Sequence, residues 1–314
     1  MKTITLGTTD IQVTQLCYGA MRIAGNCNPQ TLNPDAMERG IKSLESAVEA
    51  GYNFIDHADI YGGTTCETIH GLALDRHPDW RDKLIVATKC GMRHDGDPHP
   101  NSPGRFDFSG DYIRQSIDGS LKRLKLERVD LYQLHRPDWL TDPDEIASAF
   151  SDIHQAGEVR YFGVSNFRPT LVSALQAALP FPIVSNQVEI HLLRLECFDD
   201  GTLDQCLEKK MSPLAWSPFA GGQLAVAIDE KAELPKDKRR AEVAVRLRPV
   251  LADVAQAYNT TPLVIILAWL MRHPTKIIPI YGSVRPEAIR ESVKAPEITL
   301  DRESWYRIWH AARA

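Results

Sequence analysis

Four side chains able to hold or move a proton stand where apolar runs of this 314-residue chain end. Asp56, Lys89 and His135 each close or follow such a run, and Tyr61 lies just beyond Asp56. Each alone has an ordinary structural explanation: a turn cap, an exposed lysine, a satisfied core histidine, a packed tyrosine. Together they make a coherent acid. A free phenol, with a pKa of ~10, is too weakly acidic to be poised at neutral pH. An ammonium beside it stabilises phenolate and brings that pKa down, and a carboxylate paired to the ammonium keeps it charged and oriented. A nearby imidazole hydrogen-bonds a carbonyl oxygen or relays its proton. The set suits protonation of an oxygen on which negative charge develops. No Ser or Cys with an adjacent base accompanies it, so acyl transfer is unattractive.

The elements that must position these residues follow from hydrophobic periodicity. Short apolar strands are expected at Gln15–Tyr18, Asn53–Asp56, Leu84–Lys89, Val129–Leu134, Arg160–Val164, Ile183–Asn186, Ser212–Ala215 and Ile277–Ile280. Helical stripes separate most of them. Asn33-Pro34 opens one, with Met37, Ile41, Leu44 and Val48 at helical spacing before Gly51. Asp142-Pro143-Asp144-Glu145 opens another as a capping box. Alternation of strand and helix implies a parallel sheet. Eight units without a break in composition predict one α/β domain over residues 1–314, a (β/α)8 TIM barrel. Ile4–Leu6 and Gln12–Thr14 predict a short hairpin ahead of it.

Spacing is uneven. Thirty-three residues separate Asp56 from Lys89, but 46 separate Lys89 from His135 and 64 separate Trp216 from Ile280. The surplus lies in two long loops, Gly91–Phe108 after the third strand and Ser217–Pro235 after the seventh, where barrels shape their substrate sites.

The chain is 43% hydrophobic and carries a net charge of −5, which excludes disorder and argues against nucleic-acid binding. Its longest apolar run, Leu263–Met271, is nine residues, short of a bilayer span, and the start lacks a secretion signal; a cytoplasmic protein is expected. The six cysteines form no metal-binding or redox motif and read as reduced core or loop residues.

Several motifs together resemble the aldo/keto reductases, in the order found there: Phe54-Ile-Asp56-His-Ala-Asp-Ile-Tyr61-Gly62, Thr88-Lys89-Cys-Gly91, Asp130-Leu-Tyr-Gln-Leu-His135, Gly163-Val-Ser165-Asn166-Phe167, Asn186-Gln187 and Trp216-Ser217-Pro218. The likeness runs from about Gly7 to Ser292. It implies a catalytic tetrad of Asp56, Tyr61, Lys89 and His135, with Tyr61 the general acid, and NADP(H) as cofactor. Ser165, Asn166 and Gln187 match residues that bind the nicotinamide carboxamide, and Trp216 matches the ring stacked on the nicotinamide. Gly282, Ser283 and Arg285 match the adenosine-phosphate segment, and Glu291 and Ser292 match positions facing the adenine. Gly19, Met21, Arg22, Ser217, Pro218 and Gly222 complete the expected cofactor contacts. The partner implied is a small-molecule carbonyl compound, shaped by the two loops with Met21, Ile60 and His57; no metal is implied.

Departures from the pattern are His57, where Thr or Ser is commoner, and Val284, Ala288 and Ser292; they leave Arg285 as the main cation for a 2′-phosphate. Two rivals stand beside this reading. A metal-dependent hydrolase built on Asp56, His57, Asp59, His135 and His191 leaves Lys89 and Tyr61 unexplained. A nicotinamide-binding sensor on the same fold would keep the tetrad with little turnover. The basic cluster Lys236, Lys238, Arg239 and Arg240 reads as a solvated helix start, with folding over the cofactor pyrophosphate as the lesser alternative. His94 and His99 read as solvated loop residues.

Overall fold

A computed structural model describes residues 1–313. The hairpin forms from β1 (Thr3–Thr5) and β2 (Gln12–Thr14), paired antiparallel. Gly7 in its turn has a φ of +54°, and a Cβ there would lie 2.4 Å from the Val184 carbonyl oxygen, so only glycine permits this approach. Leu6 and Val13 share a buried cluster with Phe54, Leu131, Leu214 and Ile278. The hairpin thus plugs the end of the barrel at which the strands begin.

Along the chain come β3 (Cys17–Gly19), β4 (Phe54–Asp56) and β5 (Ile85–Cys90), then the small antiparallel ribbon β6 (Met92–Arg93) and β7 (Arg105–Phe106). They are followed by β8 (Val129–Leu134), β9 (Val159–Ser165), β10 (Ile183–Glu189), β11 (Ser212–Trp216) and β12 (Ile278–Tyr281). All but the hairpin and ribbon strands close into one parallel barrel of eight, β3-β4-β5-β8-β9-β10-β11-β12, with β12 beside β3. The first barrel strand starts two residues later than the sequence suggests, and the ribbon inside Gly91–Phe108 has no counterpart in the periodicity.

The helices are α1 (Pro34–Glu49), α2 (Thr65–Arg76), α3 (Gly110–Leu124), α4 (Pro143–Gln155), α5 (Pro169–Ala178), α6 (Thr202–Lys209), α7 (Lys238–Ala257), α8 (Pro262–Met271), α9 (Pro286–Ser292) and α10 (Arg302–Arg313). Asn33 caps α1 by accepting from the Ala36 amide at 3.0 Å, and Ile41, Leu44 and Ala47 form its buried face. Asp142 caps α4 by accepting from the Asp144 and Glu145 amides. The expected return half of that capping box is not made: the Glu145 carboxylate accepts from the Gly110 amide at 2.7 Å and ties α4 to the start of α3. α8 is apolar nearly all round because it is enclosed; Trp269 stacks on Trp305 of α10 with ring centroids 5.0 Å apart. Among the described residues, no single helix is long and apolar enough to cross a membrane.

Within the barrel, strand alternation aims every second side chain inward. Phe54 and Asp56 share that parity, as do Ala87 and Lys89, with the apolar member at the plugged end and the polar member at the open end. β10 breaks the rule. Its pairing with β9 shifts register between Ile183 and Asn186, so Val184 and Gln187 both reach the interior although three residues apart.

Candidate active site

Lys89 is fully buried, and its Nζ is held by four oxygens. It lies 2.9 and 2.8 Å from the two Asp56 carboxylate oxygens, 2.5 Å from the His57 carbonyl and 3.1 Å from the Tyr61 hydroxyl. Asp56 Oδ1 also accepts from Gln187 Nε2 at 2.8 Å. Burial disfavours the ammonium, yet Asp56 and Tyr61 outweigh that cost and raise the Lys89 pKa above its ordinary value. Lysine therefore stays charged at the barrel floor. Because it donates to the Tyr61 oxygen, the phenol keeps its own proton free to give.

The expected direction for Tyr61 needs correcting. Burial pushes its pKa up, and the pull of Lys89 only partly offsets this. In the protein alone the phenol is neutral and protonated. His135 lies edge-on to Tyr61, ring centroids 5.8 Å apart. Burial first, then Lys89 and Arg136, hold it well below the usual histidine pKa, so it is a neutral imidazole. Its Nδ1 is buried without a partner among the described residues.

Above this floor opens a cavity of about 810 Å³, within the range of small-molecule sites. Asp56, Tyr61 and His135 line it with Gly19, Met21, Arg22, Ser165, Asn166, Gln187, Trp216, Ser217, Pro218, Gly222, Gly282, Ser283 and Arg285. A polar network runs along one wall. Ser165 Oγ donates to the Gln187 carbonyl at 2.7 Å and accepts from Asn166 Nδ2 at 2.9 Å. Asn166, at a φ of +62°, also donates to the His135 carbonyl, and its Oδ1 accepts from the Trp216 indole at 3.0 Å. These bonds fix the Trp216 ring at the cavity wall.

Other expected residues lie elsewhere. Ser292 is fully buried and off the cavity, its hydroxyl 2.7 Å from that of Tyr52 and donating to the Ile289 carbonyl, so it does not face a ligand. Glu291 accepts from Thr261 at 2.5 Å and does not line the cavity. His57 does not reach it either; its ring lies behind the barrel wall, Nε2 2.7 Å from His70 Nδ1. Gln187 spends its amide nitrogen on Asp56 rather than keeping it for a carboxamide. The constellation for a metal hydrolase is not assembled, since Asp56 is engaged by Lys89 and His191 is 3.2 Å from Glu189. The basic cluster begins α7, where Asp237 caps by accepting from the Arg240 amide; Arg240 reaches Gln223, while Lys236, Lys238 and Arg239 are exposed.

Sequence reasoning passed over Arg136, Met92, Phe219 and Tyr281, which also line the cavity. Only Arg136 carried a signal, as a cation directly after His135.

The model for the aldo/keto reductase family matches residues 15–313. The chain belongs to the aldo/keto reductase family. Among its relatives, a protein named 6-dehydroglucose reductase from Novosphingobium aromaticivorans is 37% identical, over 98% of this chain and 94% of that one. The oxidoreductase YdhF of Escherichia coli is 37% identical over 87% of each. A solved structure of a thermostable aldo-keto reductase in complex with the inhibitor epalrestat superposes with a TM-score of 0.82 at 27% identity, covering 99% of this chain and 100% of that one. An enzyme that reduces or oxidises small carbonyl compounds and alcohols with a nicotinamide cofactor is the activity this family membership supports.

Proposed function

We propose that this aldo/keto reductase reduces an aldehyde or ketone with NADPH, using Tyr61 as the proton donor. The observation that carries the reading is the Tyr61 hydroxyl held 3.1 Å from an ammonium that Asp56 chelates. A reduced nicotinamide, when bound, supplies the hydride that the carbonyl carbon accepts. Tyr61 gives its proton to the carbonyl oxygen, and Lys89 stabilises the phenolate left behind. Asp56 keeps Lys89 charged and in place, and Gln187 steadies Asp56. His135, neutral, stands beside Tyr61 to hydrogen-bond the carbonyl oxygen.

The residues present suit such a cofactor. Ser165, Asn166 and Gln187 offer side-chain oxygens for a carboxamide, and Trp216 offers a fixed aromatic face for a pyridine ring. Gly19 and Gly282 leave the cavity wall low; a Cβ on Gly282 would stand 3.2 Å from the Gly19 carbonyl. Ser283 and the exposed Arg285 supply a hydroxyl and a cation for a 2′-phosphate, favouring NADPH over NADH. The name of the Novosphingobium relative, 6-dehydroglucose reductase, directs the first trials to that sugar-derived aldehyde.

The test is NADPH oxidation, followed by absorbance, with a panel of aldehydes, ketones and dicarbonyls. Turnover in the parent that is lost in Tyr61→Phe supports the reading. Tight NADPH binding with no turnover on any of them would favour the sensor instead.

A further inference from the structure

Among the described residues, the half-buried arginines have partners, with one exception. Five pair with carboxylates, Arg93 with Asp97 and Asp107 and Arg123 with Glu67 among them. Three more donate to uncharged oxygens: Arg240 to Gln223, Arg246 to Ala311 and Arg248 to Val226. Arg136, as buried as these, donates to no acceptor among the described residues. A guanidinium removed from part of its water without a counter-charge is unfavourable. Its place in the fold supplies a reason for the arrangement.

Arg136 follows His135 at the end of β8 and lines the cavity, its Cζ 5.6 Å from the centre of the Trp216 ring. Lys89 is neutralised by Asp56, and His135 is uncharged. Arg136 is therefore, among the described residues, the half-buried positive charge at the catalytic end without a counter-charge, whereas Arg22 and Arg285 on the same cavity are exposed to water. The phosphate-binding residues proposed above, Ser283 and Arg285, follow β12. In the closed ring β8 and β12 stand opposite each other, four strands apart in either direction. A cation across the mouth from the phosphate segment is placed for the other ligand.

We propose that Arg136 determines substrate specificity, selecting carbonyl compounds that carry an anionic group, a carboxylate or a phosphate. The planar fork matches such a group with two parallel hydrogen bonds, while Met21, Ile60 and Met92 give the body of the substrate an apolar wall. The inference rests on the carbonyl-reductase reading and adds to it the kind of molecule reduced.

The experiment compares kcat/KM for 4-carboxybenzaldehyde with that for its neutral methyl ester, in the parent enzyme and in Arg136→Met and Arg136→Lys. NADPH Kd is measured for all three proteins by quenching of intrinsic fluorescence. The expected result is a preference of tenfold or more for the acid in the parent. Arg136→Met should bring the ratio close to one, and Arg136→Lys should retain part of it. Equal efficiency for the two aldehydes in the parent would overturn the proposal and leave the reductase reading standing. So would a ratio that survives in Arg136→Met, or a variant whose only defect is weaker NADPH binding. Failure of the parent to reduce either aldehyde, or any other carbonyl in the panel, would overturn the reductase reading and this proposal together.

Discussion

The floor and the rim of the cavity are built on opposite terms. At the floor, Lys89 and Asp56 are almost wholly enclosed, and every donor of the ammonium has an oxygen within reach. At the rim, Arg285 is exposed, meets only Glu287 at 3.6 Å, and follows Gly282, where little side chain projects. A buried charge without partners is costly, so the floor is assembled before any ligand arrives; water satisfies the rim until one does. The difference teaches where function is prebuilt and where it is adjustable.

The sharpest way to break the contrast is at the floor. Tyr61→Phe removes the donated proton and keeps the ring, and is expected to lower kcat by about 10²–10⁴-fold, the usual scale of general acid catalysis, with NADPH Kd nearly unchanged. Steady-state rates and a binding titration measure both. Lys89→Met should lower turnover heavily and also cost about 3–5 kcal/mol in a urea melt, because Asp56 is left charged and buried without its partner. Adding Asp56→Asn to Lys89→Met should recover part of that stability; strict additivity would show that the two groups are not coupled.

A smaller effect belongs to Asp59, which sits behind the floor. Burial, then Glu67, push its pKa up to about 7, and its Oδ1 has no partner among the described residues. The folded protein keeps this proton to higher pH than the unfolded chain, whose carboxyl titrates near ~4. Its contribution to stability therefore falls as pH rises from about 4 to about 7 and is level above that window. Comparing melts of the parent and Asp59→Asn across that range should show the parent alone losing this increment. Least of all, Arg285→Ala should weaken NADPH by about three- to tenfold and leave NADH almost unaffected, as expected for one exposed charge-assisted contact. Equal weakening of both would remove Arg285 from 2′-phosphate recognition.

The same contrast governs what could be read from the chain. The barrel strands are short apolar runs, and Asp56, Lys89 and His135 stand at or just past the ends of three of them, so the eight-stranded fold and the meeting of Asp56, Lys89, Tyr61 and His135 were legible from order alone. The bulge in β10 was not, because a register shift leaves no mark in hydrophobic alternation; without it, Gln187 would not reach Asp56. Ser292 was misplaced for a related reason. Whether a short helix such as α9 turns a hydroxyl to the cavity or to Tyr52 depends on packing partners 240 residues away in the chain. Arg136 escaped notice because its meaning lies in the acceptors it lacks, and those are visible only once the other arginines have been paired.

The stopper made by the first two strands has a consequence for traffic. A vessel sealed at the bottom fills and empties through one neck, so reactant and product must share the open end of the barrel, where segments 91–108 and 217–235 contribute Met92 and Phe219 to the cavity wall. Bracing those segments to hold a ligand more firmly would delay its departure as well. A variant with a tightened neck should show its slow step moving from bond-making to egress.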